Sequence, residues 1–384
     1  MNFSTESTKE SSAIKKTLKH WTTLHKFRVH DFDYETCEQI ANAAINLHKF
    51  YQLTDKKKLH RLACENNLWT IFNNYFPFTC NLEPKQLIEN YLPLTTKKLQ
   101  NLLSANSNSS IYLNLYSLNA SSLIISLLIG LFLGKETNHL FIILENETYQ
   151  IFSSYIQGLE STGSNLTHIK IINLTTESLE KYYTAFKEGG VFVGIMDIPP
   201  ALGDKTTYSI QVLNQTFTIQ AKTINLAAQF NIPLIPLVAF FHNNQLIFQP
   251  YNKYSISLMD LKPSVASHTL EKIFSPLNSI FSQYPEKWLQ WHNFNSFNPI
   301  FATNIFSKSS PPKSLIQTRK LFWLTNKQNT FIVNLESGKI FQLFSPLFNI
   351  LCKSNSAAKA LKQSHKKGIS INEAELIDTL SLLN

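Results

Sequence analysis

Arginine is almost missing from this chain. It stands only at Arg28, Arg61 and Arg319, so a formal charge of +9 is carried almost entirely by lysine. The planar guanidinium fork is the preferred tool for bidentate phosphate and base-edge recognition, and its scarcity argues against a sequence-specific nucleic-acid reader. A lysine-rich surface suits anionic lipid, acidic carrier proteins or acidic peptides. Cysteine is scarce as well. Cys37, Cys64, Cys80 and Cys352 share no CxxC spacing and have no histidine pattern beside them, which leaves no basis for a metal site or a disulfide framework. Buried free thiols in a reducing cytoplasm are the expectation. A membrane-spanning run is also lacking. Ile111 to Gly134 carries no charge, but its first half holds Asn114, Ser117, Asn119, Ser121 and Ser122, and its strongest apolar run, Leu123 to Leu133, falls short of the ~20 residues needed to cross a bilayer. The polar stretch Met1 to Ser12 does not read as a secretory signal.

What is present is globular. A chain of 384 residues with 43% hydrophobic and 16% charged residues buries a sizeable core, and 28 Phe with 14 Tyr make that core aromatic-rich. Two or three units are expected.

Taken in order, residues 1–14 read as a disordered lead, and 15–104 as a helical N-terminal region with an amphipathic segment Glu38 to Leu47 and a longer one over Lys56 to Phe78. The cluster Lys56-Lys57-Lys58 reads as a solvated helix face, with peripheral membrane contact as its functional version. From Ser110 the texture changes. Ile111–Leu115, Leu140–Leu144, Ile169–Leu174 and Val191–Met196 read as strands, separated by helices over Ser121–Leu133, Thr148–Leu159 and Glu177–Lys187. Such alternation implies an α/β domain over 105–300 with a mostly parallel central sheet and flanking helices. Tyr208–Leu213 and Thr216–Gln220 add a hairpin, Ala221–Asn231 a helix, and Pro233–Phe241 with Leu246–Gln249 a second hairpin. A helical stretch follows from Ser264 to Phe281. In Tyr284–His292, Trp288 and Trp291 lie three apart on one helical face, as a core plug.

A linker over 301–314, rich in Ser, Pro and Lys, leads to a small α+β domain over 315–384. There Leu321–Leu324 and Thr330–Leu335 read as a hairpin, followed by three helices: Lys339–Lys353, Ser356–Lys367 and Glu373–Leu383, the last with Asn372 as N-cap. The order implies a winged-helix-like shape.

The stretch Gly189 to Pro200 organises the larger domain. A glycine pair stops one helix, a strand buried on both faces follows, and Asp197 stands at the strand's carboxyl end before two prolines. Ligands of open α/β sheets bind at that end, so Asp197 is either a site residue or the cap of the next turn.

Three features in order carry a resemblance: the glycine-led strand ending in Asp197, the segment Ile224 to Pro236, and the closing Tyr284-Pro285-Glu286-Lys287-Trp288-Leu289-Gln290-Trp291. Together they resemble the lysophospholipid/lipid A biosynthesis acyltransferase superfamily over about 105–295. That family uses a His with an acid five positions later, the His acting as general base on an acceptor hydroxyl or amine. In this register Ser117 stands for the His and Ser122 for the acid. Neither serine is a base near neutral pH. The expected catalytic set is therefore Asp197 and Ser117 with His242, the best placed of His139, His168, His242 and His292, although a lone His beside a turn is more often structural.

A second resemblance covers 315–384. Phe331 to Phe344, Asn355 to Leu361 and Asn372 to Leu376 look like a PqqD-like domain, the peptide-recognition element of ribosomal peptide modification systems, with Asn334-Leu335 swapped relative to the usual order. What it implies is binding of a precursor or leader peptide as an added strand beside Thr330, Phe331, Ile332, Val333, Asn334 and Leu335. Use of this unit for dimerisation or DNA binding is the structural alternative. Lys362, Lys366 and Lys367 favour DNA, while the lack of arginine on the reading helix favours peptide.

The two resemblances together imply a cytoplasmic acyltransferase-fold protein of a ribosomal peptide natural-product pathway. It binds a precursor peptide and, if active, moves an acyl group onto it from a thioester such as acyl-CoA or acyl carrier protein, with no resident cofactor. The alternatives are a catalytically inactive scaffold that presents the peptide to a partner modifying enzyme, and a lipid acyltransferase peripheral to the inner face of the membrane.

Overall fold

Short runs of Ile, Leu, Val and Phe with little else in them make strands buried on both faces, and the larger unit is built on one such sheet. The computed structural model describes residues 34–53, 55–79, 88, 92–133, 138–161, 163–174, 179–200, 207–213, 215–220, 222–243, 245–262, 265–297, 321–325, 329–335, 340–354 and 356–383. The expected disordered lead over 1–14 and linker over 301–314 lie outside these residues. By their contacts the described residues divide into two units: one holds 69–289 with 296–297, the other 34–68, 290–295 and the residues from 321 onward. The described residues of the helical N-terminal region are shared between the two units. Residues 92–104 pack with the α/β unit and 34–68 with the C-terminal one.

In chain order the elements are α1 (Tyr34–Tyr51), α2 (Lys56–Thr79), α3 (Pro93–Ser104), β1 (Ile111–Leu115), α4 (Ser121–Phe132), β2 (Leu140–Leu144), α5 (Asn146–Ser161), β3 (Ile169–Asn173), α6 (Leu179–Glu188) and β4 (Val191–Ile195). Then come β5 (Thr207–Val212), β6 (Gln215–Gln220), α7 (Lys222–Gln229), β7 (Leu234–His242), β8 (Gln245–Pro250), α8 (Ala266–Gln283) and two short 3-10 turns over Pro285–Lys287 and Leu289–Asn293. A one-turn α9 (Phe294–Phe297) ends this part, and β9 (Leu321–Thr325), β10 (Asn329–Asn334), β11 (Ile340–Phe344), α10 (Ser345–Lys353), α11 (Ala357–Lys366) and α12 (Glu373–Leu383) complete the chain.

The main sheet is six-stranded, in the order β3-β2-β4-β1-β7-β8. Its first five strands run parallel and β8 pairs antiparallel with β7, so the protein is mixed α/β with a mostly parallel central sheet. Parallel strands need covering on both faces. On one face Ile111, Leu113 and Leu115 of β1 join Val193, Ile142 and the apolar α4 in a continuous core. On the other, Tyr112 and Asn114 are equally buried, and the Tyr116 hydroxyl donates to the Ile273 carbonyl of α8. Close backbone approach decides two glycines. At Gly194 an added Cβ would stand 2.4 Å from the Tyr112 hydroxyl and 2.9 Å from the Ile143 carbonyl; at Gly190, φ is 140° and the Cβ would meet the His139 carbonyl at 2.6 Å. Among the described residues no helix is long and apolar enough to cross a membrane.

Two expectations change here. The stretch 284–292 is not one helix: the backbone is extended at Trp288 (φ −82°, ψ 121°) between two 3-10 turns. Both tryptophans are fully buried, as a core plug should be, but in different units. Trp288 packs on Phe217, Phe281 and Phe297, whereas Trp291 packs on Phe50, Tyr51 and Phe294. Nor does a helix begin at Lys339. Ile340–Phe344 is a third strand, and the helix starts at Ser345 with Pro346 in its first turn.

Candidate functional site

β1 and β4 are neighbours, so the segments leaving their carboxyl ends meet. Met196 continues the pairing for one residue by donating its N–H to the Leu115 carbonyl at 3.1 Å, and this delivers Asp197 beside Ser117. The carboxylate is 1% exposed. Its Oδ1 accepts from the Ser117 N–H at 2.7 Å and from the Ser117 hydroxyl at 3.2 Å, while Oδ2 accepts from the Trp288 indole N–H at 2.6 Å. Burial pushes the Asp197 carboxyl up to about 7, against the pull of the Trp288 and Ser117 donors, which favour the ionised form.

The loop from 116 to 122 is fixed at every step. Leu118 bridges Trp288, and the Ser117 carbonyl accepts from the Leu289 N–H at 2.8 Å. The Asn119 Oδ1 accepts from the Phe241 N–H at 2.8 Å. At the start of α4, where Ala120 offers no capping side chain, the Oδ1 of Asn73 on α2 accepts from the Ser122 N–H at 3.0 Å and from the Ser121 hydroxyl at 3.2 Å. A helix start buried this deeply requires such a partner.

The structure therefore brings Asp197 and Ser117 together but not His242. That residue ends β7 with its ring 4.6 Å from Tyr284, and its pKa is lowered, first by burial and then by the Lys287 cation. Lys287 sits 3.2 Å from Glu286 and 4.8 Å from the Trp69 ring centroid. His139 and His168 lie at the opposite, amino end of the sheet, where their carbonyls accept from Val191 and Leu140. The expected Ser117–His242–Asp197 triad is not assembled. Ser122, in the register position of the family's acid, spends its N–H on Asn73.

In the C-terminal unit the peptide-docking expectation is corrected in position. β10 is the central strand, antiparallel to β9 on one side and β11 on the other, and Thr330, Phe331, Ile332, Val333, Asn334 and Leu335 are all buried. No further strand fits beside it. Of the two outer strands, β9 is straddled by the start of α2. Lys56 lies over the Trp323 ring at 5.0 Å and His60 against Phe322 at 5.7 Å, and successive strand residues point to opposite faces. β11 carries exposed Gln342 and Phe344, the latter 47% exposed, and turns Leu343 toward the core of α10–α12.

Sequence reasoning missed three residues. Asn73 gave no signal, because its partner is 49 positions away. Asn119 was noted only as breaking an apolar run. Trp288 was placed in the closing signature but read only as packing. No protein-family model matches the chain, and no curated protein matches it.

Proposed function

We propose that the protein is a peptide-binding scaffold of a ribosomal peptide natural-product pathway: a PqqD-like, winged-helix unit that captures a precursor or leader peptide, attached to an acyltransferase-like unit whose chemistry is retired. The reading implies a cytoplasmic protein whose partners are that peptide and a separate modifying enzyme. The carrying observation is the state of Asp197. A general base must reach the acceptor's proton. Here both carboxylate oxygens already accept from Ser117 and Trp288, inside a buried loop to which no imidazole among the described residues is hydrogen-bonded. On the C-terminal side, β11 ends its sheet with no further strand beside it among the described residues, the kind of edge that β-augmentation uses.

One observation favours a second reading, acyl transfer by this chain itself. A carboxyl held near 7 with a serine hydroxyl at 3.2 Å is matched to general-base work at neutral pH. The acyl group would come from a thioester such as acyl-CoA or acyl carrier protein.

Incubation of the purified protein with a candidate precursor peptide and an acyl-thioester donor separates the two. Binding without a mass shift is the expected result. A shift that disappears in Asp197→Asn would overturn the scaffold and establish the enzyme.

A further inference from the structure

Away from the sheet edge, the C-terminal unit holds a cavity of about 310 Å³ between the ends of α10 and α11, lined by Asn349, Ile350, Lys353, Gln363, Lys366 and Lys367. Three of its six lining residues are cations, and none is an acid. Lys353, Lys366 and Lys367 are exposed, and among the described residues none forms a salt bridge. Lysines in a last helical turn complement the helix dipole, which accounts for each of them singly. It does not account for three converging on one concavity, where like charges raise one another's cost until an anion arrives. The floor is Ile350, buried at 3% exposure, and the Asn349 and Gln363 amides stand beside the cations as neutral hydrogen-bond groups.

We infer that this cavity is a binding site for a carboxylate-bearing side chain of an acidic polypeptide segment. Lysine is a point charge on a flexible stem, suited to a carboxylate of variable pose, and the site has no arginine to fork onto a phosphate. The inference rests on the peptide-binding reading for the identity of its ligand, not for the existence of the site.

The test uses the full chain and an oligoglutamate peptide, with an oligoglutamine peptide and a short DNA duplex as comparisons, at about 50 mM salt where surface charges are least screened. The site variant is Lys353→Glu/Lys366→Glu/Lys367→Glu. A control of equal charge change is Lys97→Glu/Lys98→Glu/Lys272→Glu, at exposed positions of the other unit. Oligoglutamate is expected to bind, at least tenfold more weakly to the site variant and within twofold of the native protein for the control. Absence of binding, or equal weakening in both variants, overturns the inference. So does tighter binding of the duplex through the same three lysines, which would make the surface a nucleic-acid site. Phe344→Lys keeps the cavity intact, so native peptide affinity in that variant, with oligoglutamate binding still lost in the lysine variant, would count against the edge and not the cavity.

Discussion

The carboxyl end of the parallel sheet and the edge of the small antiparallel sheet use their polar groups in opposite ways. At the first, polar groups bond to one another inside the fold: Ser117 and Trp288 donate to Asp197, Asn73 caps α4, and Asn119 holds Phe241 through its Oδ1. At the second, β11 has a neighbouring strand on one side alone among the described residues, and Phe344 is half exposed. At a position where α/β folds usually place ligands, hydrogen bonds form a clasp, while a strand edge, usually a liability, has no partner strand among the described residues. The difference teaches that fold position proposes a site and the hydrogen bonds decide whether it is free to act.

The strongest way to break this contrast is to open the clasp. Trp288→Ala removes a fully buried indole packed on three phenylalanines and leaves Asp197 one donor short. A loss of about 3–5 kcal/mol in urea unfolding is expected; a loss under about 1 kcal/mol would mean that the indole is not the clasp.

The pH dependence of stability tests the same carboxyl. Its folded value of about 7 lies above the ordinary 3.8, so between those values the folded protein holds a proton that the unfolded chain releases. Stability therefore falls as pH rises from about 4 to about 7 and levels off above, by roughly 4 kcal/mol at the outside. Asp197→Asn should flatten that slope in denaturation curves taken across this window. An unchanged slope would place the titrating group elsewhere.

Two substitutions sharpen the other side. Ile332→Pro strikes a central strand paired on both sides and should cost about 3 kcal/mol or more, collapsing the C-terminal unit. Circular dichroism and thermal melting would show it, and a native melt would contradict the central placement of β10. The smallest effect on stability is expected from Phe344→Lys, within about 0.5 kcal/mol because the ring is exposed. Titration should nevertheless show peptide binding weakened about tenfold, since lysine on an edge strand opposes strand addition. Unchanged affinity would move the docking site away from β11.

Much of the fold was legible from local pattern. β1 and β2 stand where the apolar runs put them, Ile111–Leu115 and Leu140–Leu144, because a strand buried on both faces needs an unbroken apolar run. Asn372 caps α12 as its position suggests, accepting from the Glu375 N–H at 2.9 Å while its own N–H donates to the Glu375 carboxylate at 2.9 Å. β11 was misread because Leu343, Leu347, Phe348 and Leu351 fall at helical spacing across its boundary with α10. The strand exists only through its pairing with β10. Of the candidate site, the meeting of Asp197 and Ser117 followed from two strands ending side by side, while their closure by Trp288 and Asn73 did not.

The sequence by itself specified most elements of the α/β unit: buried strands alternating with helices, an acid after β4, Ser117 and Ser122 after β1, and a lysine-borne charge of +9. These are properties of runs a few residues long. Only the tertiary structure decided what those residues do. Whether Asp197 is a base or a bridge depends on an indole 91 positions away, and whether β10 can receive a peptide depends on a strand pairing at its second edge. Hydrogen bonds of that separation are set by how the sheet brings chain segments together, and no local pattern carries them.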